Sequence, residues 1–171
     1  CDFREFPPKK GLSVMEIADL EFLSCDWGTS SFRLKWIKGL KVLREFRESI
    51  GRRTLYERAV SRGDSSERAR ASVYSEFLIE KLKLWGEIGQ AAFSPIPLVI
   101  SGMASSTVGW RELLYAPLPF PLDATRLNYE VLSWDKPFWI GKSYLISGVA
   151  SSIDMMRGEE VEAIGLMANP R

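Results

Sequence analysis

A turn between two strand-like runs constrains this chain more than any other feature. An apolar run ends at Asp26, the small residues 28–31 (Gly-Thr-Ser-Ser) follow, and a second apolar run begins at Phe32. This pattern predicts a strand, a tight turn and a second strand, with a carboxylate and small hydrogen-bond donors at the tip. Such a tip can hold a metal ion through Asp26. It can also bring backbone N–H groups close to a phosphate at Gly28, which has no side chain to block the approach. An ordinary hairpin turn uses the same residue types, so the turn by itself leaves both interpretations open.

The other periodicities predict a mixed α/β fold. Three sequential strands with tight connections indicate an antiparallel meander at the start of the chain. A helix capped by Asp64 or Ser65 follows, and further strands and a long irregular segment come before a last helix. Strand–helix alternation after a meander is typical of a layered α/β structure. The expected strands are Glu21–Trp27, 32–37, 42–46, 97–101, 129–132, 138–140 and 144–149, and the expected helical segments are a turn at 55–60, a helix that ends near 85 and a helix over 159–168.

The composition excludes several classes of site. The chain has no histidine, which rules out Ser-His-Asp and Cys-His triads and histidine-ligated metals, whereas oxygen-ligated magnesium remains possible. The two cysteines, Cys1 and Cys25, give no metal-ligand spacing, and we expect a reducing cytoplasm. A net charge of +1 gives no basic field for nucleic acid, and no apolar run reaches the roughly 20 residues that span a bilayer. We therefore expect neither nucleic acid nor a membrane as a partner. The P-loop and G-x-G-x-x-G fingerprints are also missing, so any phosphate is bound by another route.

Two later stretches also place polar groups where an element begins or ends. Residues 101–110 open from an apolar strand into small and hydroxyl residues, at the strand end where α/β sheets bind ligands. A plain connection rich in turn formers has the same composition. Residues 154–162 place carboxylates at a helix start, which the helix dipole explains by itself. In a functional interpretation, Glu159 or Glu160 reaches a metal-bound water and Arg157 meets an anion.

Taken together, the three stretches resemble the 2-dehydro-3-deoxygalactonokinase family of the actin-like/sugar-kinase ATPase superfamily. Their order and approximate spacing agree with the family, and the resemblance covers roughly residues 22–167. It implies an α/β fold of the ribonuclease-H-like or actin-like ATPase lobe type, with a mixed sheet, a three-strand antiparallel meander and flanking helices. The matching residues are Asp26-Trp27-Gly28-Thr29-Ser30, Gly102-Met103 with Gly109-Trp110, and Met156-Arg157-Gly158-Glu159-Glu160 with Ile164-Gly165.

The resemblance implies ATP- and magnesium-dependent transfer of the γ-phosphoryl group to the 6-hydroxyl of 2-dehydro-3-deoxy-D-galactonate. Asp26 would belong to the first phosphate-binding turn and position magnesium directly or through water. Glu159 would be the acidic residue at a helix start that holds a metal-bound water, with Glu160 as the second candidate. The other implied contacts are Gly28, Thr29 and Ser30 with the phosphates, Gly102, Met103, Ser105 and Trp110 with the sugar acid, and Arg33 or Arg157 with its carboxylate.

The superfamily fold has two similar lobes with the nucleotide between them. This sequence contains no second acidic-glycine turn of the expected kind, so it resembles the N-terminal lobe alone, over residues 21–171. Residues 1–20 are expected to be a leader outside the core, and residues 1–14 precede the first methionine. We expect little kinase activity from the isolated chain, and the alternative is a non-catalytic lobe that binds a sugar acid or a partner. The expected partners are a small sugar acid and a second lobe supplied in trans, or self-association through exposed apolar surface.

Overall fold

The structure is a computed structural model that describes residues 19–85, 96–121, 125–133 and 140–168. Residues 1–18 of the expected leader and the first part of the strand expected at 138–140 lie outside the described residues. Within them, no helix combines the length and the apolar character that a bilayer span requires.

A six-stranded mixed sheet is the centre of the fold, and the expected antiparallel meander forms one half of it. Strand β1 pairs antiparallel with β2 on one side and parallel with β4 on the other. The order across the sheet is β3-β2-β1-β4-β7-β6, so the earliest strand is central. The strands are β1 Glu21–Trp27, β2 Phe32–Lys38, β3 Lys41–Glu48, β4 Ile96–Gly102, β6 Tyr129–Leu132 and β7 Ile140–Ile146, while β5, β8 and β9 belong to a second sheet.

Alternation of side chains explains why the meander is predictable. In β1, Leu23, Cys25 and Trp27 are fully buried, while the residues between them are only half-buried. Because successive side chains of a strand point to opposite faces, this period of two aims one face at the core. Strand β2 repeats the pattern and begins with the buried Phe32. The meander therefore forms because its apolar residues fall on one face.

Helix α1, Arg52–Ser61, is longer than the single turn expected at 55–60. Gly51 at its start supplies no side-chain cap. The first backbone N–H groups bond instead to the turn between β1 and β2: Arg52 N donates to Gly28 O at 3.0 Å and Arg53 N to Thr29 O at 3.1 Å. A helix needs partners for its first four N–H groups. Here they come from a distant turn, which local sequence does not show.

Helix α2, Glu67–Lys83, confirms the expected helix but begins later than its expected cap. The capping residue is Ser66, whose hydroxyl accepts a hydrogen bond from Ala69 N at 3.3 Å. Asp64 accepts a bond from Ser66 N at 2.7 Å and so shapes the turn that precedes the cap. Asp64 and Ser65 were therefore the wrong caps. Helix α3, Glu159–Ala168, has the expected bounds.

A small second sheet was not expected from the sequence. It consists of β5 Ala116–Pro117, β8 Val149–Ala150 and β9 Met155–Met156. The expected strand at 144–149 was wrong at its end, because β7 leaves the main sheet at Ile146 and Val149 joins the small one. Strands of two residues are too short to show a period of two, so their sequences carry no strand signal.

Aromatic rings fill the core next to the β1–β2 turn. The Trp27 ring centroid lies 4.8 Å from those of Phe32 and Tyr74, 5.8 Å from Phe77 and 6.1 Å from Trp110. Tilted and edge-on ring pairs at these distances add to the stabilisation from burial. The end of β1 is therefore anchored by β2, by α2 and by the segment after β4.

Replacing Trp110 with leucine tests this anchoring. Trp110 is 5% exposed, so we expect Trp110→Leu to lower the free energy of unfolding by about 2–4 kcal/mol through lost contacts and a new cavity. Urea unfolding measures the change. The control is Leu114→Ala at a side chain that is 82% exposed, which should change stability by less than about 0.5 kcal/mol. Equal stability of the two variants would contradict a core role for Trp110.

Candidate functional site

A cavity of about 440 Å³ lies where β1 and β4 end. These strands run parallel, with Asp26 opposite Ser101, so their carboxyl ends open at the same edge of the sheet. The start of α3 forms another wall through Glu159. Ligands of α/β sheets bind in crevices at the carboxyl ends of strands, so this is the candidate functional site.

The 28–31 turn presents backbone donors next to this cavity. The carbonyls of Gly28 and Thr29 accept hydrogen bonds from the first turn of α1. In a trans peptide the N–H points opposite to the C=O, so the N–H groups of Thr29 and Ser30 point away from the start of α1. Gly28 and Thr29 line the cavity, whereas Ser30 is exposed and does not. Successive backbone N–H groups of this kind can bind an anion.

Gly51 permits this contact between α1 and the turn. A Cβ atom on Gly51 would lie 2.5 Å from both Ser30 N and Thr29 C, which is closer than real Cβ contacts. The requirement is steric, because the φ of Gly51 is −109°, a value open to any residue. The turn and the helix therefore meet only because this position has no side chain.

The Asp26 carboxylate lines the cavity, and neighbouring charges shift its pKa in opposite directions. It pairs across the strands with Arg33, whose Nε lies 3.1 Å from Asp26 Oδ2. Burial raises the pKa of Asp26 above its usual value, Arg33 lowers it, and the charges of Glu162 and Glu159 raise it again. Arg33, expected to meet the carboxylate of the sugar acid, thus forms an ion pair within the chain.

Two glycines bring the start of α3 close to Asp26. Gly102 and Gly158 both have positive φ, 82° and 112°. A Cβ on Gly158 would lie 3.4 Å from the Gly102 Cα and 3.9 Å from Asp26 Oδ1, and a Cβ on Gly102 would lie 3.1 Å from that same oxygen. Gly102 does not line the cavity and instead permits this approach, which differs from its expected role as a sugar-acid contact.

The acidic residues of α3 have different surroundings. Glu159 lines the cavity, and its Oε2 accepts a hydrogen bond from Arg157 N at 2.9 Å. Glu160 is 3% exposed and does not line the cavity; its Oε2 accepts from Gly158 N at 2.6 Å, and burial raises its pKa. Glu160 therefore braces the loop before α3, and its role at the metal stays a prediction.

Glu162 lines the cavity but was not among the expected site residues. The signal was present, since residues three apart share a helix face and Glu162 follows Glu159 by three. The neighbouring cation Lys35 was also missed, because it lies on β2 beyond the turn that drew attention.

Whether this site fits magnesium depends on how many of the ion's ligands the protein itself must supply. Among the described residues, no three His, Cys, Asp or Glu side chains are grouped closely enough to hold a metal ion by themselves. Magnesium in phosphoryl-transfer sites takes one or two carboxylates and completes its shell with water and phosphate oxygens. Asp26 suits direct ligation, and Glu159 and Glu162 suit bonds to metal-bound water, so the residues fit the ion.

Of the residues expected to contact the sugar acid, some line the cavity and others are buried in the protein. Met103 and Arg157 line the cavity. Ser105 is fully buried and accepts a hydrogen bond from Arg157 Nη1 at 3.2 Å, so it lies behind Arg157. Trp110 packs in the aromatic core and does not reach the cavity. Its position supports a structural role instead of the expected sugar contact.

Gly51→Ala tests whether the turn needs its contact with α1. We expect a loss of about 2 kcal/mol in the free energy of unfolding, because the added methyl group overlaps the turn backbone. The control is Gly165→Ala, an exposed helix position with open space, which should gain about 0.5–1 kcal/mol. Urea unfolding measures both. If Gly51→Ala were as stable as the parent, close packing there would not be required.

Asp26→Asn tests, through the pH dependence of stability, which of the opposing effects on the pKa of Asp26 dominates. Because folding raises the pKa of Asp26, the folded state holds that proton more tightly, and stability falls as pH rises through the raised pKa. We expect Asp26→Asn to melt about 1–3 °C above the parent near pH 7, with the difference vanishing as the pH falls to the ordinary pKa of an aspartate side chain. Thermal melts of both proteins across this range measure it. A variant that melts lower near pH 7 would show that the Arg33 ion pair dominates.

Two comparisons with known proteins relate this chain to one kind of protein. The family model described as 2-keto-3-deoxy-galactonokinase matches residues 26–171, from the site aspartate onward. A search of curated proteins found no match. One matching crystal structure is of a Sinorhizobium meliloti protein provisionally named a 2-dehydro-3-deoxygalactonokinase, with a TM-score of 0.63 and 27% identity. The match covers 88% of this chain and 44% of that one, so this chain spans less than half of the relative's length.

The matched residues contain all three stretches that carry the resemblance, and they extend over most of the chain. The resemblance is therefore confirmed, and the chain belongs to the 2-keto-3-deoxy-galactonokinase family.

Proposed function

We propose that this chain serves a kinase that transfers the γ-phosphoryl group of ATP to the 6-hydroxyl of 2-dehydro-3-deoxy-D-galactonate in the cytoplasm, and that it folds as an actin-like ATPase lobe. The family supports a sugar-acid kinase. The observation that carries the proposal is the Asp26 carboxylate, which lines one cavity with the 28–31 turn and the acidic start of α3. Carboxylates for a metal and backbone donors for phosphate are what phosphoryl transfer requires from a protein.

Each of these groups has a task that its position allows. The Thr29 and Ser30 N–H groups would donate to phosphate oxygens, and the contact with α1 fixes their direction in advance. Asp26 would hold magnesium, with Glu159 and Glu162 orienting water around it. When bound, magnesium neutralises phosphate charge and orients the transferring group. Donors that are fixed before the reaction need no reorganisation during it.

The Asp26–Arg33 pair limits how the site can bind these ligands. A carboxylate paired at 3.1 Å has less negative charge to offer a cation, and an arginine so placed is partly neutralised towards an anion. Loading with magnesium and phosphate would supply each partner with a new counter-charge. The raised pKa of Asp26 also suits a carboxylate that accepts a proton.

The test is an assay with ATP, magnesium and 2-dehydro-3-deoxy-D-galactonate, followed by ADP release and by ³¹P NMR of the sugar product. It uses this chain together with a second lobe supplied in trans, because little activity is expected from the isolated chain. We expect a 6-phosphorylated product, and a fall in kcat/KM of about 10²-fold or more for Asp26→Asn. Glu57→Gln, an exposed acid-to-amide change on α1, is the matched control and should leave kcat/KM unchanged.

The outcomes separate the proposal from its alternative. Sugar-acid binding by calorimetry, without turnover and without dependence on ATP, would favour the non-catalytic binding lobe. A protein that neither binds the sugar acid nor transfers phosphate to it would contradict both.

A further inference from the structure

The small second sheet aligns two side chains on either side of a glycine. Val149 in the middle strand pairs with the first residue of β5 and with the last residue of β9. Tyr115 precedes β5, Gly148 precedes β8, and Arg157 follows β9, so these three form the adjoining row. Gly148 O also accepts a hydrogen bond from the first N–H of β5, at 2.9 Å, which continues the pairing into this row. We call Tyr115, Gly148 and Arg157 the cross-strand row.

The glycine at the centre of the row leaves room for its neighbours to meet. A Cβ on Gly148 would overlap Met156 O and would lie 3.0 Å from Tyr115 Cε1. Without that atom, the Arg157 guanidinium carbon lies 4.2 Å from the Tyr115 ring centroid, and Arg157 Nε donates to the Tyr115 hydroxyl at 3.2 Å. A cation held against an aromatic face and bonded to its hydroxyl has few alternative orientations.

A third contact fixes the far end of the guanidinium. Arg157 Nη1 donates to the hydroxyl of the fully buried Ser105 at 3.2 Å. Both partners are neutral, so they orient the guanidinium without forming an ion pair with it. Two of the five N–H donors of the guanidinium are used, which leaves three for a ligand.

Arg157 differs in this respect from the other cations of the cavity. Arg33 pairs with Asp26 at 3.1 Å, and the Lys35 ammonium lies 3.9 Å from a carboxylate of Glu45. For Arg157, no side-chain carboxylate lies within ion-pair distance in the part of the chain that the structure describes. The cavity wall therefore carries one oriented guanidinium whose charge is still available to an anion.

We propose that Tyr115 is a positioning residue that holds Arg157 so that its guanidinium binds the carboxylate of the sugar-acid substrate and discriminates against neutral sugars. This inference rests on the proposed function. A planar guanidinium matches a planar carboxylate through two parallel hydrogen bonds, and fixing it beforehand reduces the ordering that binding would otherwise require. Gly148 and Ser105 support Tyr115 in this task.

A phosphate group of ATP has the same charge and could use the same guanidinium. The carboxylate is the better assignment, because the 28–31 turn already supplies donors for phosphate, and Arg157 is tied instead to the segment after β4. The two ligands are separable, since they can be titrated one at a time.

The experiment measures, by calorimetry, the affinities of the full-length protein for three ligands: 2-dehydro-3-deoxy-D-galactonate, the neutral 3-deoxy-2-hexulose with a hydroxymethyl group in place of the carboxylate, and magnesium-ATP. We expect Tyr115→Leu to weaken binding of the acid about tenfold and to leave the other two ligands unchanged. Tyr115→Phe keeps the ring, loses the hydroxyl and should weaken acid binding about threefold. Tyr115→Phe also tests the inference if the leucine variant does not fold.

Two further variants separate positioning from general damage. Tyr129→Leu removes a half-buried tyrosine of β6 and should leave all three affinities unchanged. Arg157→Lys should weaken binding of the acid by itself, and adding Tyr115→Leu to it should then cause little further loss, because Tyr115 acts through the guanidinium.

Each remaining outcome overturns the inference in a distinguishable way. Equal losses for the acid and the neutral sugar would show a merely structural Tyr115. A loss confined to magnesium-ATP would assign the guanidinium to phosphate. A parent protein that binds the acid, with Tyr115 variants that bind it equally well, would overturn the positioning role and leave the proposed function standing. A parent that binds no sugar acid would overturn both.

Discussion

The contact between the start of α1 and the 28–31 turn is the interaction on which the site depends. Two hydrogen bonds, Arg52 N to Gly28 O and Arg53 N to Thr29 O, satisfy a helix end that has no side-chain cap. The same bonds set the orientation of the turn peptides, and hence the direction of the N–H groups on their other side. One pair of contacts therefore gives the start of the helix hydrogen-bond partners and orients the donors of the turn.

The ionised Asp26 side chain lowers the stability of the folded protein, and this cost has a functional explanation. Its carboxylate is partly removed from water and lies near the acidic residues of α3, so its ionisation is less favourable in the folded protein than in the unfolded chain despite Arg33. Evolution could relieve this cost with an amide at position 26, but an amide offers a cation no charge. Groups that destabilise the folded protein by itself but interact favourably with a ligand are expected at functional sites.

The sequence predicted those parts of the structure that have a period or a motif. Strand β1 and helix α3 were predicted to the residue, because alternation and helical spacing are local properties. The small sheet could not be predicted, since two-residue strands have no period. In the site, Asp26 and Glu159 line the cavity, whereas Glu160, also expected at the metal, is buried and braces a loop. Composition alone does not show which of two adjacent carboxylates faces the cavity.

The small sheet, which was not predicted, explains the position of the Met-Arg-Gly-Glu-Glu stretch. Met156 pairs with β8, which sets the row of Arg157, and Gly158 has the positive φ that turns the chain close to Asp26. Glu159 and Glu160 then accept hydrogen bonds from the backbone N–H groups of Arg157 and Gly158. These carboxylates thus hold the turn that places Arg157 on the cavity wall. A stretch that resembles a metal motif in sequence is, in the folded chain, also the support of a guanidinium on the cavity wall.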